Sequence, residues 1–393
     1  MKKSLLLAGI VGLLIGCSEP YNNQEPAPET NVLRSARRGA NVIPDQFVVV
    51  LKEEGALKGL GAQMKGKALG LLKKHGADGA SLDHVYSNAL QGFSARLNPA
   101  QLRSLSNDDA IAYIEEDFEI TIEQKGKGKP GGGTPPPQPT QSTPWGITRI
   151  GGAGIGTGKT AWIIDTGIDL DHPDLNVDAT RGFSAFSSGK DRTADDGNGH
   201  GTHVAGTVAA LNNSIGVVGV AAGATVVPVK VLSSSGSGSN SGVIAGVDYV
   251  AANAQAGDVA NMSLGGGISS ALDAAVLSAA NAGVKFAIAA GNSSADANSS
   301  SPARVNHPNV YTVSAHTIQD VFASFSNFGN PPIDYCAPGV SVSSTWINGG
   351  YNTISGTSMA APHVCGILLL GNIRSRGLVS GDRDTTPDQL ASR

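Results

Sequence analysis

The spacing of apolar residues changes several times along this chain, and each change marks a different kind of element. In the first third, DQFVVVLK reads as a strand, residues 55–75 are rich in Ala, Leu, Gly and Lys and read as a helix, and GFSARL reads as a second strand. NPAQLRSL opens with a capping asparagine and a first-turn proline, which predicts a helix, and IAYIEEDFEITI returns to strand. The order β-α-β-α-β over residues 45–123 predicts a small α+β domain of the ferredoxin-like kind. Residues 124–141, QKGKGKPGGGTPPPQPTQ, hold too much Gly and Pro to build a core and read as a linker.

From residue 160 strands alternate with helices: TAWIIDTG, HGTHVAGTVAAL, TVVPVKVL, SGVIAGVDYVAANA, VANMSLGG, SSALDAAVLSAANAG, VKFAIAAGN and NVYTVSA. Several of the strands are near-continuous apolar runs, as expected where helices cover both faces of a parallel sheet. Residues 142–393 therefore predict an α/β domain with a doubly wound, mainly parallel sheet. In such sheets functional groups gather at the carboxyl ends of the strands.

The first twenty residues, MKKSLLLAGIVGLLIGCSEP, break the pattern again. Two lysines precede a twelve-residue apolar run from Leu5 to Gly16, too short to span a membrane and flanked as a secretory signal is. Its end, Leu14-Ile15-Gly16-Cys17, resembles the lipobox of bacterial lipoproteins, which implies a signal peptide over residues 1–16 and lipidation of Cys17. Residues 17–44 are polar with scattered Pro and Asn and read as a flexible tether.

Composition narrows the function. Across 393 residues, 40% are hydrophobic and 15% charged, which suits a globular chain with a core, and a net charge of −4 gives no basic footprint for nucleic acid. Glycine, at 52 residues, is about twice its usual share and signals tight turns and close backbone approaches.

Two motifs mislead. AGIGTGKT, residues 153–160, has the spacing of a phosphate-binding loop, but Lys159-Thr160 runs into a strand where that loop must open a helix. Asp165-Thr166-Gly167 matches an aspartic protease signature, yet that chemistry needs a second such loop, and no second Asp-Thr-Gly or Asp-Ser-Gly exists here. A third arrangement fits better. Asp165 closes a strand, and His200 and Ser358 each open a helix, in GNGHGTHVAGT and SGTSMAAPH. A serine hydroxyl needs a base within hydrogen-bond reach, and the base needs a buried carboxylate to fix its tautomer and stabilise the imidazolium. The backbone N–H of Ser358, at a helix start, is also an oxyanion donor.

In order, IIDTGIDLDHPDL, HGTHVAGT, NMSLGG, AIAAGN and SGTSMAAPH resemble the defining blocks of the subtilisin-like serine proteases. The order Asp, His, Ser is that of subtilisin. The resemblance implies a serine endopeptidase with Asp165, His200 and Ser358 as triad and Asn292 as side-chain oxyanion donor. It implies substrate binding along Ser263, Leu264, Gly265 and Gly266, with Ala289, Ala290 and Gly291 walling the main specificity pocket. It also implies a structural Ca2+ held by Gln141, Asp174, Leu211, Asn213, Ile215 and Val217, all oxygen donors as a hard cation requires. Residues 45–123, through GFSARL and YIEEDFEI, resemble the family's inhibitory propeptide, with self-cleavage between Ile122 and Thr140. The partners implied are polypeptide substrates, the chain's own propeptide, and a membrane through Cys17 before maturation frees a monomeric extracellular enzyme.

Other residues read more plainly. His203 and His363 read as packed helix histidines, and Cys336 and Cys365 as packed free thiols, with a disulfide left open because export permits one. Only 35 residues follow Ser358, and TPDQLASR reads as the start of a further helix, so the sequence predicts a truncated catalytic domain. From a different functional class, the same cleft suits a catalytically inactive envelope lipoprotein that binds extended peptides.

Overall fold

The structure is a computed structural model and describes residues 32–33, 41–53, 55, 58–122 and 138–393. The signal peptide, Cys17, most of the tether and most of the linker lie outside the described residues.

The first domain is built from β1 (Val42–Leu51), α1 (Gly61–Lys74), β2 (Leu82–Tyr86), β3 (Gly92–Arg96), α2 (Pro99–Ser106) and β4 (Ile111–Thr121). The strands form an antiparallel sheet in the order β4-β1-β3-β2, which gives the ferredoxin-like β-α-β-β-α-β arrangement. Strand β2 is an addition to the sequence reading, because Asp83 and His84 interrupt the apolar signal that flags a strand. Helix α2 starts as expected, with Pro99 at its first position, and Gln101 completes a reciprocal capping box with Asn98. Helix α1 is shorter than the composition of residues 55–75 suggested.

The apolar run of β1 is continuous because both of its faces are covered. Phe47, Val49 and Leu51 pack under α1 and α2 with Met64, Leu72, Phe93 and Leu105. Val48 and Val50 point the other way and join the core of the second domain, beside Phe118, Ile120, Val243 and Val247. Period-two alternation in β1 thus fastens one domain to the next.

The second domain carries β5 (Thr160–Asp165), α3 (His200–Ala209), β6 (Thr225–Lys230), β7 (Ser237–Ser239), α4 (Asn240–Asn253), β8 (Val259–Met262), α5 (Ser270–Asn281), β9 (Lys285–Ala289), β10 (Val310–His316), β11 (Ile333–Pro338), β12 (Val342–Trp346), β13 (Gly350–Ile354), α6 (Thr357–Leu370), β14 (Arg374–Leu378) and β15 (Gln389–Ser392). The main sheet runs β14-β15-β11-β10-β9-β8-β5-β6 and is parallel except where β14 joins β15. Side chains of β5 alternate between two cores. Ala161 and Ile163 face α3 and α6 through Val204, Val208 and Val364, while Trp162 and Ile164 face α4 and α5 through Val247 and Val276.

The C-terminal expectation is corrected. TPDQLASR supplies strand β15, not a helix, and it pairs with both β14 and β11. Leu390 packs with Phe322, Cys336 and Val379, while its neighbour Ala391 faces the large core, so two-residue alternation decides the element. Cys336 and Cys365 are buried free thiols in different clusters, and burial pushes both thiols up.

Candidate active site

The carboxyl end of β5 and the amino ends of α3 and α6 converge on one point. Helix α3 follows Gly199, whose φ of 110° is left-handed and whose Cβ would run into the Trp346 ring. Gly201 is needed for a different reason: a Cβ there would meet the Gly167 carbonyl oxygen at 2.1 Å. These glycines let α3 start against the end of β5, and His200 Nδ1 lies 2.7 Å from Asp165 Oδ1. Both residues are fully buried, and the same Asp165 oxygen accepts the Thr166 N–H at 2.7 Å. His200 Nε2 has no hydrogen-bond partner among the described residues.

Ser358 is the second residue of α6 and is buried. Its hydroxyl donates to the Ser263 carbonyl at 3.2 Å, and the Ser263 hydroxyl returns a bond to the Ser358 carbonyl at 2.8 Å. Asn292 has its side-chain oxygen turned to Thr357, accepting the Thr357 N–H at 2.8 Å and its hydroxyl at 3.0 Å. That orientation presents the amide nitrogen to Gly356: a Cβ built there would lie 3.4 Å from Asn292 Nδ2 and 3.7 Å from the Ser358 nitrogen. The Asn292 amide nitrogen and the Ser358 backbone nitrogen thus both lie close to Gly356. Thr357 was not flagged by the sequence, because nothing in the residue type announces that it aims a neighbour.

A cavity of about 280 Å³ opens beside Ser358 and is lined by Ser263, Leu264, Gly265, Gly266, Ala289, Gly291 and Asn292, all expected from sequence. Ala290 is the exception. It is fully buried, its N–H bonds the Val313 carbonyl at 3.0 Å and its carbonyl takes Asn327 Nδ2 at 2.9 Å, so it supports the wall from behind. Asn327, also absent from the sequence reading, holds the Ser293 and Ala295 N–H groups with its side-chain oxygen.

The end of β4 occupies the cleft. Ser237 of β7 and Gly265 both pair antiparallel with Thr121, and the Ile122 N–H bonds the Gly236 carbonyl at 3.0 Å. Phe118 and Ile120 cover Gly266, where a Cβ would come within 3.3 Å of either side chain. Behind this strand, Glu115 accepts from Ser269 and Ser270 at the start of α5, and Asp117 accepts the Ser241 N–H at the start of α4. Carboxylates at helix amino ends are favourable. In return, Asp248 of α4 accepts the N–H groups of Ser87, Asn88 and Ala89.

The six residues expected around Ca2+ also come together. Asp174 accepts from Asn213 Nδ2 at 2.8 Å and the Val217 N–H at 3.1 Å, Gln141 Nε2 donates to the Leu211 carbonyl at 2.9 Å, and the Ile215 N–H bonds Asn213 Oδ1 at 2.7 Å. Asp174 is fully buried, burial pushes its carboxyl up, and among the described residues no cationic side chain pairs with it. The carboxylate of Asp174, the Leu211 carbonyl and the Asn213 and Gln141 amides carry the oxygen donors a hard cation takes, while here the amide nitrogens are turned to Asp174 and Leu211 and the Tyr351 hydroxyl also donates to Asp174. His203 and His363 bond the carbonyls of Val342 and Met359, and burial lowers them to about 3 and about 4.

Comparison with known proteins places the chain in a family. The subtilase family profile matches residues 156–373, and the peptidase inhibitor I9 profile matches residues 46–123. The chain is 38% identical to a subtilisin-like serine protease of Sarocladium strictum, over 93% of this chain and 88% of that protein. It is 39% identical to an extracellular serine proteinase of a Thermus species, over 98% and 92% respectively. Among solved structures, a cold-adapted subtilisin-like serine proteinase matches with TM-score 0.56 and 44% identity, covering 63% of this chain and 98% of that one.

Proposed function

This chain belongs to the subtilase family and is a serine endopeptidase, and we propose that Asp165, His200, Ser358 and Asn292 are its catalytic residues. The observation that carries the assignment is the 2.7 Å contact of His200 Nδ1 with Asp165, both buried, beside a serine at a helix start. With substrate bound, Ser358 Oγ leaves the Ser263 carbonyl and attacks the scissile carbonyl carbon while its proton passes to His200 Nε2. Asp165 stabilises the imidazolium, and the Ser358 N–H and Asn292 Nδ2 hold the oxyanion. The C–N bond then breaks as His200 protonates the departing amine, and water hydrolyses the acyl-enzyme by the same path in reverse.

The I9 domain makes the chain a precursor with an intramolecular inhibitor. Strand pairing of Thr121 with Gly265 and Ser237 supports binding of extended peptides by strand addition along Ser263–Gly266. The domain bounds follow: signal 1–16, tether 17–44, propeptide 45–123, linker 124–141 and peptidase 142–393, with self-cleavage between Ile122 and Thr140. Gln141, Asp174, Leu211, Asn213, Ile215 and Val217 hold a structural Ca2+, which supplies charge balance for the buried Asp174. Lipidation at Cys17 anchors the precursor to the cell envelope, and cleavage downstream releases a monomeric enzyme to the exterior. The relative named as an extracellular proteinase supports export.

A serine-directed phosphonate tests the reading. Label that depends on Ser358, together with an intact-mass change from self-processing, is expected. An inactive peptide-binding lipoprotein would show neither, and the named relatives, all serine proteases, favour the protease.

A further inference from the structure

Four residues before the start of α3 lies a carboxylate that the mechanism does not use. Asp196 is buried, and its two oxygens accept five bonds. Oδ1 takes the Thr166 hydroxyl at 2.9 Å, the Asn198 N–H at 2.9 Å and the Gly199 N–H at 3.0 Å. Oδ2 takes the Thr202 N–H at 3.0 Å and its hydroxyl at 2.7 Å. Helix α3 has glycine at its cap position and no capping side chain there, so Asp196 caps it from outside.

The same carboxylate also reaches across to β5. Thr166 follows Asp165 directly, and its hydroxyl both donates to Asp196 and accepts the Gly201 N–H at 2.9 Å. On its other side the Thr166 carbonyl is held by Nζ of Lys230, a fully buried lysine. The residue after Asp165 and the residues flanking His200 are therefore tied to one buried anion. Apolar packing of Ala161 and Ile163 on Val204 and Val208 joins β5 to α3, and the polar ties through Thr166 and Asp196 act at the end where Asp165 and His200 meet.

We propose that Asp196, acting through the Thr166 hydroxyl, is the positioning residue that sets the contact between Asp165 and His200. The proposal rests on the catalytic assignment above. A network of this kind is rigid only when every member is satisfied, and loss of one donor or acceptor loosens the rest. A misplaced base costs turnover and leaves binding at Ser263–Gly266 intact.

The test uses matured enzyme, with active sites counted by an irreversible serine reagent so that unfolded protein drops out. Asp196→Asn is expected to lower kcat per titrated site about tenfold to a hundredfold with KM within about twofold. Thr166→Val should fall in the same direction, while Thr166→Ser, which keeps the hydroxyl, should restore most of kcat. A purely structural role would reduce the number of titrated sites or the Tm and leave kcat per site unchanged. If Asp196→Asn does not fold, the Thr166 pair decides: equal kcat per site in the Val and Ser variants overturns the proposal. Activity surviving in Ser358→Ala would instead overturn the catalytic assignment, so the two failures are distinguishable.

Discussion

The Ser358 hydroxyl donates to the Ser263 carbonyl, while His200 Nε2 is left without a partner among the described residues. The hydroxyl of the proposed nucleophile is therefore bonded to the strand edge proposed to receive the peptide, beside the end of β4. Substrate that takes over the Ser263–Gly266 edge frees the hydroxyl for the base. Ser358→Ala should reduce hydrolysis of a peptide amide by about 10⁶-fold, as in subtilisin, with peptide binding retained. Binding lost in parallel would argue that Ser358 serves the cleft and not the chemistry.

Asn292 has a role that the Thr357 contacts make specific. Its oxygen is committed to Thr357, which fixes the orientation of the amide that is proposed to donate to the oxyanion. Asn292→Ala should lower kcat by about 10² to 10³ with little change in KM, the magnitude known for the equivalent donor in subtilisin. Equal losses in kcat and 1/KM would point to a damaged pocket.

The register predicts a position for self-cleavage. Thr121 stands opposite Gly265, and Ser263, two residues back along that antiparallel partner, carries the carbonyl that holds Ser358. The count points to the bond after Glu123, just outside the described residues. Amino-terminal sequencing of the first processed product should begin at Gln124, and a first product that starts before Ile122 would contradict the strand-addition register.

Calcium should matter to stability more than to chemistry, because the Asp174 cluster touches no catalytic side chain. At a hundredfold excess over Kd, bound ion adds about 2.7 kcal/mol, so chelation should lower the Tm of inhibited enzyme by about 5–10 °C. Asp174→Asn should blunt that response. An unchanged Tm after chelation would remove the ion from the account.

Acid sensitivity has a source in the buried histidines. Burial lowers His203 to about 3, and His316 and His363 to about 4, against 6.5 for an exposed ring. Between about pH 4 and 6.5 the unfolded chain binds more protons at these sites, so stability rises with pH and falls on acidification through that window. For His363 the difference is on the order of 3 kcal/mol at pH 4. His363→Gln should flatten the fall of Tm between pH 6.5 and 4 in inhibited enzyme, and an identical slope would assign the acid loss elsewhere.

Much of this protein was legible in its sequence, for reasons that differ by residue. Strands such as TAWIID and helices such as HGTHVAGTVA declare themselves because apolar period and glycine placement are local properties. Asp165, His200, Ser358 and Asn292 could be proposed from sequence because the chemistry demands those residue types at element ends. Strand β2 was missed because its side chains are mixed in polarity. TPDQLASR was misread because four residues of alternation are too few to distinguish a strand from a helix.

The sequence by itself determined which residues carry reactive groups and, for the strongly periodic segments, which form strands and helices. Only the tertiary structure decided what those groups face. It turned the Ser358 hydroxyl towards Ser263, put Ala290 behind the wall, aimed Asn292 through Thr357, and bound Thr166 to Asp196 across a gap of thirty residues. Residue type fixes what a side chain can donate or accept. Which partner it meets depends on long-range packing, and no local pattern in the chain encodes that.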